Sequence, residues 1–227
     1  MSVQGINKNS VRLINATTDM FTAGGDNVWW QDFLVEGSAT TNAAFNMNNH
    51  IGLHVRNVDM LNNEGANTQR FIYQSGATWT TMFVEHCVID SYKSSDYVFY
   101  LANTSGAARY VDVEINDVFC DSFHLTNYGG GFILRACQDV RFKDSKIRGG
   151  NNAGGSSSYQ TGVRIELNGA TGTAWMEVFT TYFNGIHGTT GQVAIYGTTG
   201  TDYLLANSYA PGALADGTRT VSNSAIT

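Results

Sequence analysis

The chain has 227 residues, enough for one domain with a continuous core, and carries a formal net charge of -6 with 13 Lys and Arg against 19 Asp and Glu. That balance, with no clustered Lys and Arg, excludes a phosphate-binding surface and makes nucleic acid an unsuitable partner. Gly is plentiful at 25, Pro occurs once and only 14% of residues are charged, so polarity comes from Asn, Ser, Thr and Gln, the mixture expected where short strands alternate with polar turns.

The N-terminal residues Met1 to Lys8 lack the apolar core of a secretion signal, and no run of 18 or more apolar residues occurs. The expectation is a soluble chain without membrane insertion or an export signal. Residues 1–10 read as an N-terminal cap or connector. From residue 11 a ten-residue frame begins to organise the chain: apolar, any, apolar, any, Asp or Asn, small, any, apolar, any, Gly.

In chain order, the frame fits Val28 to Gly37, Leu53 to Asn62, Met82 to Ser91, Val113 to Ser122, Val140 to Gly149, Met176 to Gly185 and, loosely, Tyr203 to Gly212. Its fifth position falls at Asp32, Asn57, His86, Asp117, Asp144, Thr180 and Asn207, with separations of 25, 29, 31, 27, 36 and 27 residues. These are solenoid rung lengths with loops of variable size. Each interval holds a second short apolar strand: Phe45 to Met47, Phe71 to Tyr73, Tyr97 to Leu101, Phe132 to Leu134, Val163 to Leu167 and Val193 to Tyr196, with an earlier one at Val11 to Ile14. Asn and Asp tolerate the left-handed conformation of a corner, which accounts for the fifth position. Gly37, Gly149 and Gly185 are expected to release the chain into the next loop.

The prediction is an all-β fold, a right-handed parallel β-helix of about seven rungs over residues 11–212, with a polar tail or cap at 213–227. At roughly 4.8 Å per rung the rod is about 34 Å long. Period-two alternation points Val28, Trp30, Val140, Phe142, Met176 and Val178 inward as stacked columns. Cys87 and Cys120 also fall at inward positions. With Cys137 they make an odd number without CxxC spacing, which suggests buried thiols and neither a disulfide framework nor a zinc knuckle. The sequons at Asn15 and Asn103 arise too easily in an Asn-rich chain to imply glycosylation.

The repeated strand pattern resembles the pectate-lyase-like β-helix superfamily, which includes bacteriophage tailspikes and polysaccharide lyases. The resemblance covers about residues 11 to 212 and is carried by core and corner positions, so it speaks for fold more than activity. It implies a virion spike or fibre that forms a trimer, sits among other virion proteins and binds or cleaves host surface polysaccharide. A non-catalytic capsid or tail decoration protein, and a free polysaccharide lyase or glycoside hydrolase, remain alternatives. No lyase-type catalytic motif transfers residue by residue.

Two outward columns follow from the frame. The first runs Trp29, His54, Phe83, Glu114, Arg141, Glu177 and Leu204, the second Gln31, Arg56, Glu85, Asn116, Lys143, Phe179 and Ala206. Opposite charges on neighbouring strands read as ladders that avoid like-charge stacking. The aromatic members Trp29, Phe83 and Phe179 read alternatively as a face for another subunit or a covering loop. On the second strands, Arg164, Arg135, Tyr196 and Tyr97 are candidate carbohydrate-binding residues, since sugar rings stack on aromatic faces while their hydroxyls bond to charged groups. An ordinary solvated face is the competing reading.

For glycoside cleavage, two carboxyl groups about 5 to 9.5 Å apart are needed. Glu166 paired with Glu177 or Asp144 is the candidate set. Stacked Asp117 and Asp144 are too few oxygen ligands for a Ca²⁺ site, and the five histidines lack metal-ligand spacing, so no metal and no cofactor is expected. HExxH, GxSxG, P-loop and strand-linked GxGxxG signatures are absent from the sequence. Gly129 to Gly131 reads as a turn before a strand. Neither end reads as a strong amphipathic cap helix, so the open ends of a solenoid are expected to be covered by oligomerisation or by neighbouring chains.

Overall fold

The computed structural model describes residues 2–5, 12–15, 20–37, 43–47, 50–61, 70–74, 80–90, 97–102, 110–124, 130–135, 139–151, 163–166, 174–187, 191–192, 195–197, 201–206 and 220–221. Within them the protein is all-β. The strands form two sheets, one of 13 strands and one of 7, and with one exception every pair is parallel. The exception is the short antiparallel contact of Tyr182–His187 with Gly191–Gln192. Sequential long strands lie side by side in the larger sheet, and the short strands between them lie side by side in the smaller one, an arrangement consistent with a β-helix or solenoid.

The corner position explains how one strand serves two directions. Asp32, Asn57, His86, Asp117, Asp144 and Thr180 all adopt φ between 45° and 64°. A non-Gly residue rarely enters this region, and Asn and Asp do so most cheaply. Before the corner, alternation puts the first and third frame positions inside; after it, the sixth and eighth are inside. Two consecutive outward residues at the corner, such as Gln31 and Asp32, absorb the change of phase. Asn207 lies outside the described residues.

Backbone register builds the columns. Val28, Leu53, Met82, Val113 and Val140 pair in succession, as do Trp30, Val55, Val84, Ile115, Phe142 and Val178, and every one of these side chains is buried. Beyond the corner, Val35, Met60, Ile89, Cys120 and Ile147 form a third buried column. Phe45, Ile72 and Phe99 pair in the smaller sheet and are buried against the same core. Full burial of such a side chain stabilises by about 1.5–3 kcal/mol, so stacking like on like makes the core continuous along the sheet normal to the strands. The expected inward side chain of Met176 lies outside what is described, though its backbone pairs with Val140.

Two positions just after the corner are polar and buried, Ser145 and Thr181. Their hydroxyls bond back across the bend, Ser145 Oγ to the Lys143 carbonyl at 2.7 Å and Thr181 Oγ1 to the Phe179 carbonyl at 2.8 Å. Ser145 Oγ also accepts from Val118 N at 3.1 Å, and Thr181 Oγ1 from Ser145 N at 3.3 Å. Cys87 does the same more weakly, donating from Sγ to the Glu85 carbonyl at 3.2 Å. A bend interrupts the backbone ladder, and small polar side chains restore the missing partners there.

Two expectations change. The strand expected at Val11 to Ile14 is Arg12–Asn15, and it joins the larger sheet beside Leu34 to Gly37 instead of the smaller one. Gly149 and Gly185 do not end their strands: Lys146–Asn151 and Tyr182–His187 run on past them, with the two glycines paired to each other. Within the segments read as caps, Ser2–Gln4 pairs in parallel with Trp29 to Gln31 and Thr220–Val221 with Leu204 and Leu205, so each adds a strand to the larger sheet. A further pairing, Phe21–Thr22 beside Phe45 and Asn46, opens the smaller sheet one strand earlier than the apolar runs indicate.

Gly52 occupies the turn before the strand Leu53–Leu61 with φ 78°. A Cβ there would collide with the Asn27 side-chain oxygen and stand 3.2 Å from Asn27 Cα. Gly52 is therefore fixed both by its backbone angle and by the close approach of Asn27.

Candidate functional site

Both outward columns keep the register expected of them. Trp29 pairs with His54, His54 with Phe83, Phe83 with Glu114, Glu114 with Arg141, Arg141 with Glu177 and Glu177 with Leu204. The Trp29 and His54 rings stack at 3.9 Å between centroids with 5° between planes, and His54 and Phe83 at 4.8 Å with 20°. His54, unremarked by type in the sequence, is the middle of an aromatic stack with both faces covered. Burial between these rings holds its imidazole below the ordinary value of 6.5, against a smaller opposing pull from Glu85. Trp29 remains 43% exposed.

Further along this column the chemistry turns ionic. Arg141 lies 2.9 Å from Glu177 and 3.8 Å from Glu114, bridging strands on both sides. In the second column Arg56 lies 3.5 Å from Glu85. Past the corner, Arg148 meets Asp121 at 2.9 Å, and the Lys146 ammonium sits 5.6 Å from the ring centres of both Phe119 and Tyr182.

Corner side chains pair across strands. Asn57 Nδ2 donates to Asp32 Oδ1 at 2.8 Å, His86 Nδ1 to Asp117 Oδ2 at 2.8 Å, and Thr180 Oγ1 to Asp144 Oδ1. Beside the first pair opens a cleft of about 260 Å³ lined by Gln31, Asp32, Arg56, Asn57 and His86. Sequence reasoning treated Asp32, Asn57 and His86 as turn formers alone. The available signal was their adjacency to Gln31 and Arg56 in a known register.

In the smaller sheet, Tyr73 pairs with Tyr100, and their rings lie 5.5 Å apart. The Arg70 guanidinium stands 4.8 Å from the first ring centre and 4.6 Å from the second, a spacing suited to cation–π attraction. In backbone register the same line continues through Ile133, Arg164 and Tyr196, so two of the four expected carbohydrate-binding positions fall on it. Arg135 pairs with Glu166 at the strand ends. Tyr97 pairs with Gly130, at the opposite end of these strands from Arg135 and about 17 Å along the chain direction at strand rise. The side chains of Arg135, Arg164, Glu166, Tyr196 and Tyr97 lie outside what is described.

The three candidate carboxylates are dispersed. Glu166 belongs to the smaller sheet, Glu177 to the larger, and Asp144 to a corner. Glu177 is engaged by Arg141, and Asp144 accepts from Thr180 with Lys143 at 3.8 Å. No group of three or more His, Cys, Asp or Glu suited to a metal occurs among the described residues. Of the interface candidates, Trp29 is the most exposed, while Phe83 and Phe179 are half-buried.

Elsewhere, Asp26 accepts from Ile51 N at 3.0 Å and from His50 Nδ1 at 3.1 Å. The backbone bond first and His50 second hold its carboxyl below the ordinary 3.8. Cys87 and Cys120 are buried and not disulfide-bonded, and burial pushes the Cys120 thiol well up, away from the reactive thiolate. Cys137 lies outside the described residues. Compared with known proteins, the chain matches no family model, no curated protein and no solved structure.

Proposed function

We propose that this chain is a right-handed parallel β-helix of about seven rungs, of the pectate-lyase-like kind, that serves a virion as a spike or fibre and binds host surface polysaccharide without cleaving it. The observation that carries the reading is the pair of Tyr73 and Tyr100 rings in the smaller sheet with the Arg70 guanidinium over both, on a register line that runs on through Ile133 to Arg164 and Tyr196. Aromatic and guanidinium groups at strand spacing suit the apolar faces and hydroxyls of successive sugars. Binding without cleavage is favoured because Glu166 and Glu177 stand in different sheets and Glu177 is held by Arg141. The virion setting rests on the resemblance of the repeat.

A glycan array with the purified protein tests the reading, followed by reducing-sugar and unsaturated-product assays on whichever polysaccharide binds. Binding without product is expected, weakened by Arg164→Ala and Tyr196→Ala. Absence of binding to any glycan overturns it in favour of a decoration protein with a purely structural role. That second reading is favoured by the way outward groups satisfy one another, as in the Trp29, His54, Phe83 stack and the Glu114, Arg141, Glu177 ladder.

The same proposal includes a trimer, with Trp29, Phe83 and Phe179 toward neighbouring subunits. Because His54 covers the facing sides of Trp29 and Phe83, such a contact is made by ring edges.

A further inference from the structure

We propose that the corner cleft lined by Gln31, Asp32, Arg56, Asn57 and His86 is a second carbohydrate site, a subsite for one neutral hexose unit, on the opposite sheet from the tyrosine line. It rests on the polysaccharide-binding reading and goes beyond it by naming a separate site and its ligand class. The first support is size: about 260 Å³ falls just under the range of roughly 300–1,000 Å³ for drug-sized ligands, room for a single ring and not for a long ligand.

The second support is the kind of groups. Gln31 and Asn57 each present a donor and an acceptor, Asp32 accepts, and Arg56 donates in a fixed fork. Vicinal hydroxyls, each donor and acceptor at once, need such a mixed set. A phosphate would need clustered cations, whereas here one guanidinium faces one carboxylate and Arg56 is further balanced by Glu85 at 3.5 Å. A divalent cation would need more oxygen ligands than one carboxylate and two amides supply.

The third support is order. Gln31 Nε2 donates to Asp32 Oδ2 at 3.2 Å and Asn57 Nδ2 to Asp32 Oδ1 at 2.8 Å, so both oxygens of the carboxylate are held by neighbours. The parallel register and the fixed positive φ of Asp32, Asn57 and His86 hold the lining backbone in place. A ligand therefore meets groups already oriented, and little side-chain entropy is lost on binding.

The experiment is a glycan array carrying both neutral and acidic oligosaccharides, probed with the intact protein and with Gln31→Ala, Arg56→Ala and Arg56→Lys. Neutral-hexose glycans are expected to bind, with affinity reduced about tenfold in each cleft variant, the loss of roughly one charged hydrogen bond. Arg56→Lys keeps the charge and the fold but loses the fork, so it separates ligand contact from folding damage. Neutral-glycan binding that survives all three cleft substitutions overturns the site. Binding confined to acidic glycans also overturns it and leaves the polysaccharide reading standing. Binding to no glycan overturns both.

Discussion

Thr180 and His86 stand in a conformation that their neighbours in the frame fill with Asp or Asn, with φ of 45° and 55°. For a β-branched residue this is the least comfortable of the corners, because Cβ crowds the backbone. Thr180→Asn removes that strain and leaves an amide able to reach Asp144. Stabilisation by about 0.5–1 kcal/mol is expected, a rise of about 1–4 °C in the melting temperature of a chain this size, read by differential scanning fluorimetry. A lower melting temperature would mean that the Thr180 hydroxyl on Asp144 outweighs the strain. The buried hydroxyl one corner earlier acts in the opposite sense. Ser145→Ala leaves Val118 N without the acceptor it has at 3.1 Å, at a cost of about 1–3 kcal/mol in chemical denaturation. An unchanged denaturation midpoint would show that another acceptor takes over. The corners were readable as residues because φ preference is local; the hydroxyl partners were not, because each donor comes from a strand 27 or 36 residues away.

Between neighbouring strands, the column is the unit that carries both stability and sensitivity to pH. His54 is stacked between Trp29 and Phe83, and its depressed pKa arises chiefly from burial. A group whose folded value lies below its unfolded value binds fewer protons when folded. Its contribution is therefore present above the unfolded value of 6.5 and is lost as pH falls through the folded one. Melting temperature is expected to fall on acidification from neutral through the slightly acidic range, and His54→Phe, which keeps a stack and cannot be protonated, is expected to flatten that part of the profile. The same slope in wild type and variant would remove His54 as its source. Asp26 has the same sign at lower pH: its bonds from Ile51 and His50 contribute above 3.8 and are lost below it. The two contributions set in at different points on acidification, below 6.5 for His54 and below 3.8 for Asp26.

At the scale of the molecule, every rung of the proposed coil adds sheet without closing its ends, and the proposed trimer is one way to cover an edge. Ser2–Gln4 and Thr220–Val221 each extend the larger sheet by a strand, and Phe21–Thr22 and Ile195–Gly197 stand at the two ends of the smaller one. Mass photometry is expected to give a species of about three times the 24.6 kDa chain. A single monomer peak at working concentration would count against the trimer and would leave the added terminal strands as the caps.

What the sequence determined by itself was the repeat: where the chain bends, which side chains of each strand point inward, and which outward residues become neighbours. These follow from period-two alternation and backbone angle preference, which act within ten residues and need no knowledge of the rest. The tertiary structure decided what those neighbours do. It stacked His54 between Trp29 and Phe83, drew Arg141 closer to Glu177 than to Glu114, gathered the corner side chains around a cleft, and set Glu166 and Glu177 in different sheets. It also gave Arg12–Asn15 to the larger sheet, where the apolar pattern alone was ambiguous. A side chain that meets another across a rung is chosen by rotamer, charge and the path of the intervening loop, and none of these is written in the alternation of a single strand.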